Sequence, residues 1–136
     1  AAIPEIKKRS MQRESSGSII NLSSVAGLVG SPNHGAYSAT KGAVNQMMKS
    51  IAIVAGPYGI TVNAVLPGTV LTDINRQQLE KDKPELKEYF INWNQLRRLA
   101  NTKDVANAIL FFATEDSNCI TGTTLVVDGG MSINLQ

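Results

Sequence analysis

Gly17-Ser18-Ile19-Ile20-Asn21-Leu22-Ser23-Ser24 and Tyr37-Ser38-Ala39-Thr40-Lys41-Gly42-Ala43 are the stretches on which the fold turns. Ser18 to Leu22 is a short β-rich run without strict alternation, the pattern of a strand covered on both faces. A loop follows, rich in turn residues: Gly27, Gly30, Ser31, Pro32 and Asn33. From 36 to 55, Ala36, Ala39, Ala43, Val44, Met47, Ile51 and Val54 recur at helical spacing, and Gly56-Pro57 stops the run. Strand, loop and helix in this order make a β-α unit.

The pattern extends outward in both directions. Residues 60–66, Ile-Thr-Val-Asn-Ala-Val-Leu, read as a second strand closed by Pro67-Gly68. A polar, charged region from 72 to 98 predicts one or two helices outside the core sheet. Thr102 is a candidate cap for a helix over 103–114, with Asp104 in its first turn. Thr124-Leu125-Val126-Val127 is a third strand, and Asp128-Gly129-Gly130 is a turn. Upstream, Ile3, Ile6 and Met11 space the tail of a helix over 3–13, broken at Ser15-Ser16-Gly17. Strands alternating with helices predict an α/β fold with parallel strands. No repeat, low-complexity segment or linker divides the 136 residues, so 1–136 reads as one domain.

Composition narrows the function classes. Apolar residues at 43% and charged residues at 18% fit a globular chain. A net charge of +2 is too weak to argue for nucleic acid or an anionic membrane, and no apolar run reaches the roughly 18 residues of a span. The single cysteine, Cys119, cannot form an internal disulfide, which points to a reducing, cytoplasmic setting. It stands in an apolar stretch and reads as a small core residue. With no second ligand candidate near the single histidine, His34, no metal site is expected, and His34 reads as a surface or pocket-rim residue.

The chemistry lies at the start of the long helix. Tyr37 and Lys41 are four apart and share a helix face. A cation beside a phenol favours the phenolate, which can exchange protons near neutrality. Ser24 follows the first strand, at the carboxyl edge where α/β sheets hold ligands, and its hydroxyl can bind a substrate oxygen. A Tyr-x-x-x-Lys pair is weak by itself. Its neighbourhood is not: Ser24 precedes Tyr37 by 13 residues, Val62-Asn63-Ala64-Val65-Leu66-Pro67-Gly68-Thr69-Val70-Leu71-Thr72 follows, and Thr121-Gly122 and Asp128-Gly129-Gly130 bracket the last strand.

These four blocks, in this order, resemble the short-chain dehydrogenase/reductase family along almost the whole chain, least between Asn75 and Arg98. The resemblance implies the C-terminal part of a doubly wound parallel-sheet (Rossmann-like) domain, three strands with flanking helices. It implies that Tyr37 transfers the proton, Lys41 holds the nicotinamide ribose, and Ser24 (with Ser23 as the rival) orients the substrate oxygen. Pro67 and Gly68 would pass beside the nicotinamide, and Val70 and Thr72 would bind its carboxamide. The cofactor would be NAD or NADP, and the reaction reversible hydride transfer between an alcohol and a carbonyl compound. A homo-oligomer, dimer or tetramer, is implied for the full-length protein.

The family's glycine-rich phosphate turn, its NAD-or-NADP selector and its catalytic-site Asn do not occur in these residues. The chain is therefore expected to be an incomplete domain, inactive by itself. Residues 71–76 and 128–136 are similar to sugar dehydrogenases of the family, particularly the L-rhamnose 1-dehydrogenases. Asn75, Arg76 and Asn134 would suit a hydroxyl-rich aldose whose anomeric hydroxyl is oxidised to a lactone. A 3-oxoacyl thioester reductase is the alternative substrate reading, and a non-catalytic oligomerisation fragment the alternative in kind. Trp93, near Tyr89 and Phe90, reads as an apolar helix face or part of a substrate lid. Met47 and Met48 read as packing residues.

Overall fold

The computed structural model describes residues 4–6, 8 and 17–134. Three strands, β1 (Gly17–Leu22), β2 (Ile60–Pro67) and β3 (Thr124–Val127), form one parallel sheet in the order β1-β2-β3. Between β1 and β2 runs the long helix α1 (Gly35–Ala55). Between β2 and β3 come α2 (Asp73–Gln77), a π-helical turn over Gln78–Asp82, α3 (Pro84–Trp93) and α4 (Thr102–Ala113). The α/β reading with three parallel strands holds. Of the expected helix over 3–13, residues 4–6 and 8 are helical, and the remainder lies outside the described residues.

β2 explains the layering. Ile60, Val62, Ala64 and Leu66 face α1, where they meet Met48, Ala52 and Ala55. Val65 faces the other way, onto Val105 and Phe112 of α4. Period-two alternation thus gives one strand two apolar faces, and a helix covers each. Burying a side chain as fully as Met48 or Phe112 stabilises by about 1.5–3 kcal/mol. β1 also packs on both faces, as expected, but less completely than β2. β1 is half-buried, with Ile19 and Ile20 packing to opposite sides, and its last residue, Leu22, is exposed.

Several local expectations shift. The helix face inferred over 36–55 was only partly the packed one. Met48, Ala52 and Ala55 are buried, whereas Met47 is 51% exposed and Val54 62% exposed. α1 is apolar around more of its circumference than one stripe, so spacing alone could not choose the inward face. Gly56-Pro57 does not end the turn cleanly: a 3-10 turn continues over Gly56–Tyr58, and Gly59 closes it in the left-handed region at φ 67°. The cap of α4 is Asn101 rather than Thr102. Its Oδ1 accepts from the Asp104 N–H at 3.0 Å, while Asp104 Oδ2 accepts from the Asn101 N–H at 2.9 Å, a reciprocal capping box. Cys119 is exposed, not core. Its neighbour Ile120 takes the inward place against the Val65, Val105 and Phe112 cluster.

A buried amide sets the spacing of the sheet. Asn63, fully buried in β2, donates from Nδ2 to the Ile120 carbonyl at 2.7 Å and accepts from the Thr123 N–H at 3.2 Å. It fixes the loop that delivers β3. Both strand ends that follow, at Pro67 and Val127, therefore open at the same edge as Leu22.

Candidate active site

At this carboxyl edge, three loops meet the first turns of α1. The loop after β1 is docked on α1 by close backbone approach. A Cβ on Gly27 would lie 2.7 Å from the Lys41 carbonyl carbon, so only glycine fits there. Ser23 Oγ donates to the Lys41 carbonyl at 3.1 Å, and Asn45 Nδ2 donates to the Gly27 carbonyl at 3.3 Å. These contacts hold Ser24 against the helix that carries Tyr37 and Lys41. None of Ser23, Gly27 and Asn45 was marked for this task by the sequence. A polar Asn on the packed face of an apolar helix was the available signal.

Ser24 has extended backbone and caps the 3-10 turn Val25–Gly27, its Oγ accepting from the Ala26 N–H at 3.2 Å. A hydroxyl that accepts there keeps its own hydrogen to donate elsewhere. Tyr37 is 46% exposed on the first turns of α1. Lys41 Nζ lies 5.7 Å from the centre of the Tyr37 ring and donates to the Leu22 carbonyl at 3.1 Å. The ammonium has three N–H bonds, so that contact leaves two for another partner.

Ser24 and Tyr37 line the same space. Two adjoining hollows, of about 480 and 210 Å³, share Ser24, His34, Tyr37, Gly68, Thr69 and Phe90 in their walls. Ser23 lines neither: it is buried with its hydroxyl on Lys41. Of the two adjacent serines, the one that the spacing favours, Ser24, is therefore the one on the hollow. A hollow of about 550 Å³ elsewhere, between Asn94, Arg98, Asp104 and Gly130, touches none of Ser24, Tyr37 and Lys41. Size does not locate the chemistry here.

The loop after β2 forms the opposite wall. Pro67 ends the strand, and Gly68 donates its N–H to the Val127 carbonyl at 3.1 Å. A Cβ on Gly68 would come within 2.7 Å of Asp128 Cβ. Val70 and Thr72 are braced by Asn75. Asn75 Nδ2 donates to the Val70 carbonyl, and Asn75 Oδ1 accepts from the Thr72 N–H, each at 2.9 Å. Of the expected sugar ligands, Asn75 both braces this loop and lines the hollow of about 480 Å³ with Ser24 and Tyr37. One of the two Asn75 Nδ2 hydrogens is left over by these contacts, and Arg76 lies on the surface against Asp73 and Glu80. Asn134, at the end of the described residues, lines neither hollow.

The segment 72–98 closes the hollow from above. Phe90 and Trp93 of α3 line it, and Tyr89 packs on both rings, with centroids 5.6 and 5.7 Å away. The base of α3 is latched: buried Asn94 donates from Nδ2 to the Asp128 carbonyl at 2.8 Å. Asp128 in turn accepts from the N–H groups of Gly130 and Ser132 at 2.8 and 2.7 Å. Gly129 has φ 62°, and a Cβ there would overlap the Asn94 side chain at 2.1 Å. The Asp-Gly-Gly turn therefore anchors the end of α3 rather than being a plain turn.

The donor set fits the nicotinamide-riboside half of a dinucleotide. An exposed phenol, an ammonium with two spare N–H bonds and a close-packed Pro-Gly loop stand at one sheet edge. Among the described residues, no group of three or more His, Cys, Asp or Glu side chains could hold a metal ion. Nor is any described helix long and apolar enough to cross a membrane.

Comparison with known proteins gives a consistent family. A family model described as enoyl-(acyl carrier protein) reductase matches residues 2–132. The chain is 39% identical over 135 residues to an L-rhamnose-1-dehydrogenase of Scheffersomyces stipitis, covering 99% of this chain and 52% of that protein. It is 43% identical over 121 residues to a 3-oxoacyl-(acyl-carrier-protein) reductase of Staphylococcus aureus, covering 89% and 48%. Among solved structures, ElxO with NADP bound superposes with a TM-score of 0.86 at 35% identity, covering 98% of this chain and 51% of that one. The chain spans about half the length of the curated relatives it matches.

Proposed function

The chain belongs to the short-chain dehydrogenase/reductase family, and from that premise we propose that it carries the catalytic side of a nicotinamide-dependent alcohol dehydrogenase, with a sugar anomeric hydroxyl as substrate. The observation that carries the reading is the shared hollow: Ser24 and Tyr37 line one cavity while Lys41 stands behind the phenol. When bound, NAD or NADP supplies a ring that accepts hydride from the alcohol carbon. Tyr37, as phenolate, takes the hydroxyl proton. Ser24 donates a hydrogen bond to the substrate oxygen and holds it in line with the phenol. Lys41 places a positive charge beside the phenolate and offers its remaining N–H bonds to the ribose hydroxyls. Loss of hydride from carbon and of the proton from oxygen leaves a carbonyl, or a lactone when the carbon is anomeric. Pro67, Gly68, Val70 and Thr72 form the wall along which the nicotinamide would lie.

Residues 1–136 supply this side and no glycine-rich phosphate turn, so they make up an incomplete Rossmann-like domain in this reading. The outward face of α1, with Met47, Ile53 and Val54 exposed, suits a contact between copies and supports a dimer or tetramer. A cytoplasmic setting accords with the one cysteine.

The sugar assignment draws on the rhamnose dehydrogenase relative. A second reading has its own support: the acyl-carrier-protein reductase is as similar in sequence, and Val29, Phe90, Trp93 and Met131 give the smaller hollow an apolar wall. Steady-state rates of the natural polypeptide containing residues 1–136 separate the two. Aldoses, simple alcohols and a 3-oxoacyl thioester would be assayed with both cofactors. The proposal expects aldose oxidation, with lactone as product, to have the highest kcat/KM. Faster reduction of the thioester would replace it with the second reading.

A further inference from the structure

Two side chains flank the Tyr37 ring along α1. Lys41 lies one turn on, and His34 lies just before the helix, meeting the ring edge-on with centroids 6.4 Å apart and planes at 72°. Only one of them faces the cavity. His34 lines both hollows and Lys41 lines neither, so the histidine marks the substrate side of the phenol.

The loop sets the tautomer of that ring. His34 Nδ1 lies 2.8 Å from the Pro32 carbonyl oxygen. A carbonyl can only accept, so Nδ1 carries the hydrogen and donates it. In the neutral ring, Nε2 is then left with a lone pair. Among the other polar side chains in these walls, Asn75 braces the loop after β2, Thr69 Oγ1 turns to Met131 Sδ at 3.9 Å, and Ser31 Oγ lies 3.4 Å from His34 Nδ1 itself, while Gln78 stands on the far side of the larger hollow, in the π-helical turn. Ser24 is assigned to the reacting oxygen. His34 Nε2 is thus an acceptor on a ring that is held by its loop and packed edge-on against Tyr37.

We infer that His34 Nε2 accepts a hydrogen bond from a hydroxyl on the carbon next to the reacting one, so that the cavity selects vicinal diols, 2-hydroxy aldoses among them, over isolated alcohols. This rests on the dehydrogenase reading given above. The two rings meet edge-on in the wall of the same cavity, so a substrate with its reacting hydroxyl on Tyr37 would bring its next hydroxyl toward the imidazole. A 3-hydroxyacyl thioester has no hydroxyl beside its reacting carbon and would leave Nε2 without a donor.

The test uses the natural polypeptide, with cis-1,2-cyclopentanediol and cyclopentanol as a matched pair. His34→Phe keeps a ring against Tyr37 and deletes the acceptor. The diol should lose about tenfold in kcat/KM, mainly through KM, as expected for one hydrogen bond. Cyclopentanol should stay near the wild-type value. His34→Gln, whose side-chain oxygen can accept, should recover part of the diol preference. Equal loss on both substrates, or no loss on the diol, overturns the inference. A second readout needs no turnover: the imidazole ¹⁵N spectrum, with His34 assigned by its absence in His34→Phe. The Nε2 resonance should move with the diol and stay put with cyclopentanol; a stationary resonance overturns the inference. A moving resonance in a protein that oxidises neither compound would leave the diol site standing and remove the dehydrogenase reading. A stationary one in an active enzyme would do the reverse.

Discussion

Ser23 and Ser24 are neighbours with different work. Ser23 ties β1 to α1 through the Lys41 carbonyl, and Ser24 lines the hollow beside Tyr37. Their alanine variants should therefore separate. Ser24→Ala should lower kcat about 100-fold or more, as for loss of one hydrogen bond to the reacting oxygen. Ser23→Ala should lower stability by about 0.5–1.5 kcal/mol and leave kcat close to wild type. Steady-state kinetics beside thermal unfolding would read both, and the reverse pattern would reassign the serine. Tyr37 and Lys41 were legible because i, i+4 spacing on a helix fixes which side chains meet. Cys119 is where the sequence misleads, because a residue type says nothing of which way its side chain turns. The thiol turns outward beside an inward isoleucine, whereas Asn75 braces its loop and still lines the hollow.

Helix ends and helix faces were read less well than helix existence. α4 was expected from its periodicity, but its cap is one residue earlier, because Asn101 and Asp104 can satisfy each other reciprocally. Arg98 adds a fork on the Asp104 carboxylate at 2.7 and 3.2 Å. The Arg98 hydrogen bond first, then the Asn101 N–H, holds the Asp104 carboxyl below its ordinary range. A carboxyl with a folded value below its unfolded one stabilises fully above the unfolded value, about 4, and that stability is lost as pH falls through the folded value. The difference in unfolding midpoint between wild type and Asp104→Ala should therefore be widest at neutral pH and narrow below about pH 4. A difference that stays constant from neutral to strongly acidic pH would show that the charge contributes nothing. α1 shows the other limit. Apolar on more than one face, it gave no sequence signal for which side packs, and only β2 decides that Met48 is inside and Met47 outside.

At the scale of the molecule, the parallel sheet brings the ends of β1, β2 and β3 to one edge, where Ser24, Tyr37 and the loop after β2 line one hollow. That much followed from the order of blocks in the sequence, since alternating strands and helices admit few topologies. The segment 72–98 was least legible. Its polarity predicts helices outside the sheet and its aromatic residues leave a choice between a helix face and a lid, but nothing local shows that Asn94 latches to Asp128. That contact joins positions distant in sequence, which no local pattern encodes. The account as a whole stands on Tyr37 as the proton acceptor in a cavity shared with Ser24. The measurement that bears on it most directly is nicotinamide-dependent alcohol oxidation by the natural polypeptide, wild type against Tyr37→Phe. The phenol is exposed and makes no core contact, so the variant should fold and retain cofactor binding, while kcat falls by about 10²–10⁴. A Tyr37→Phe variant that turns over at the wild-type rate would contradict the account.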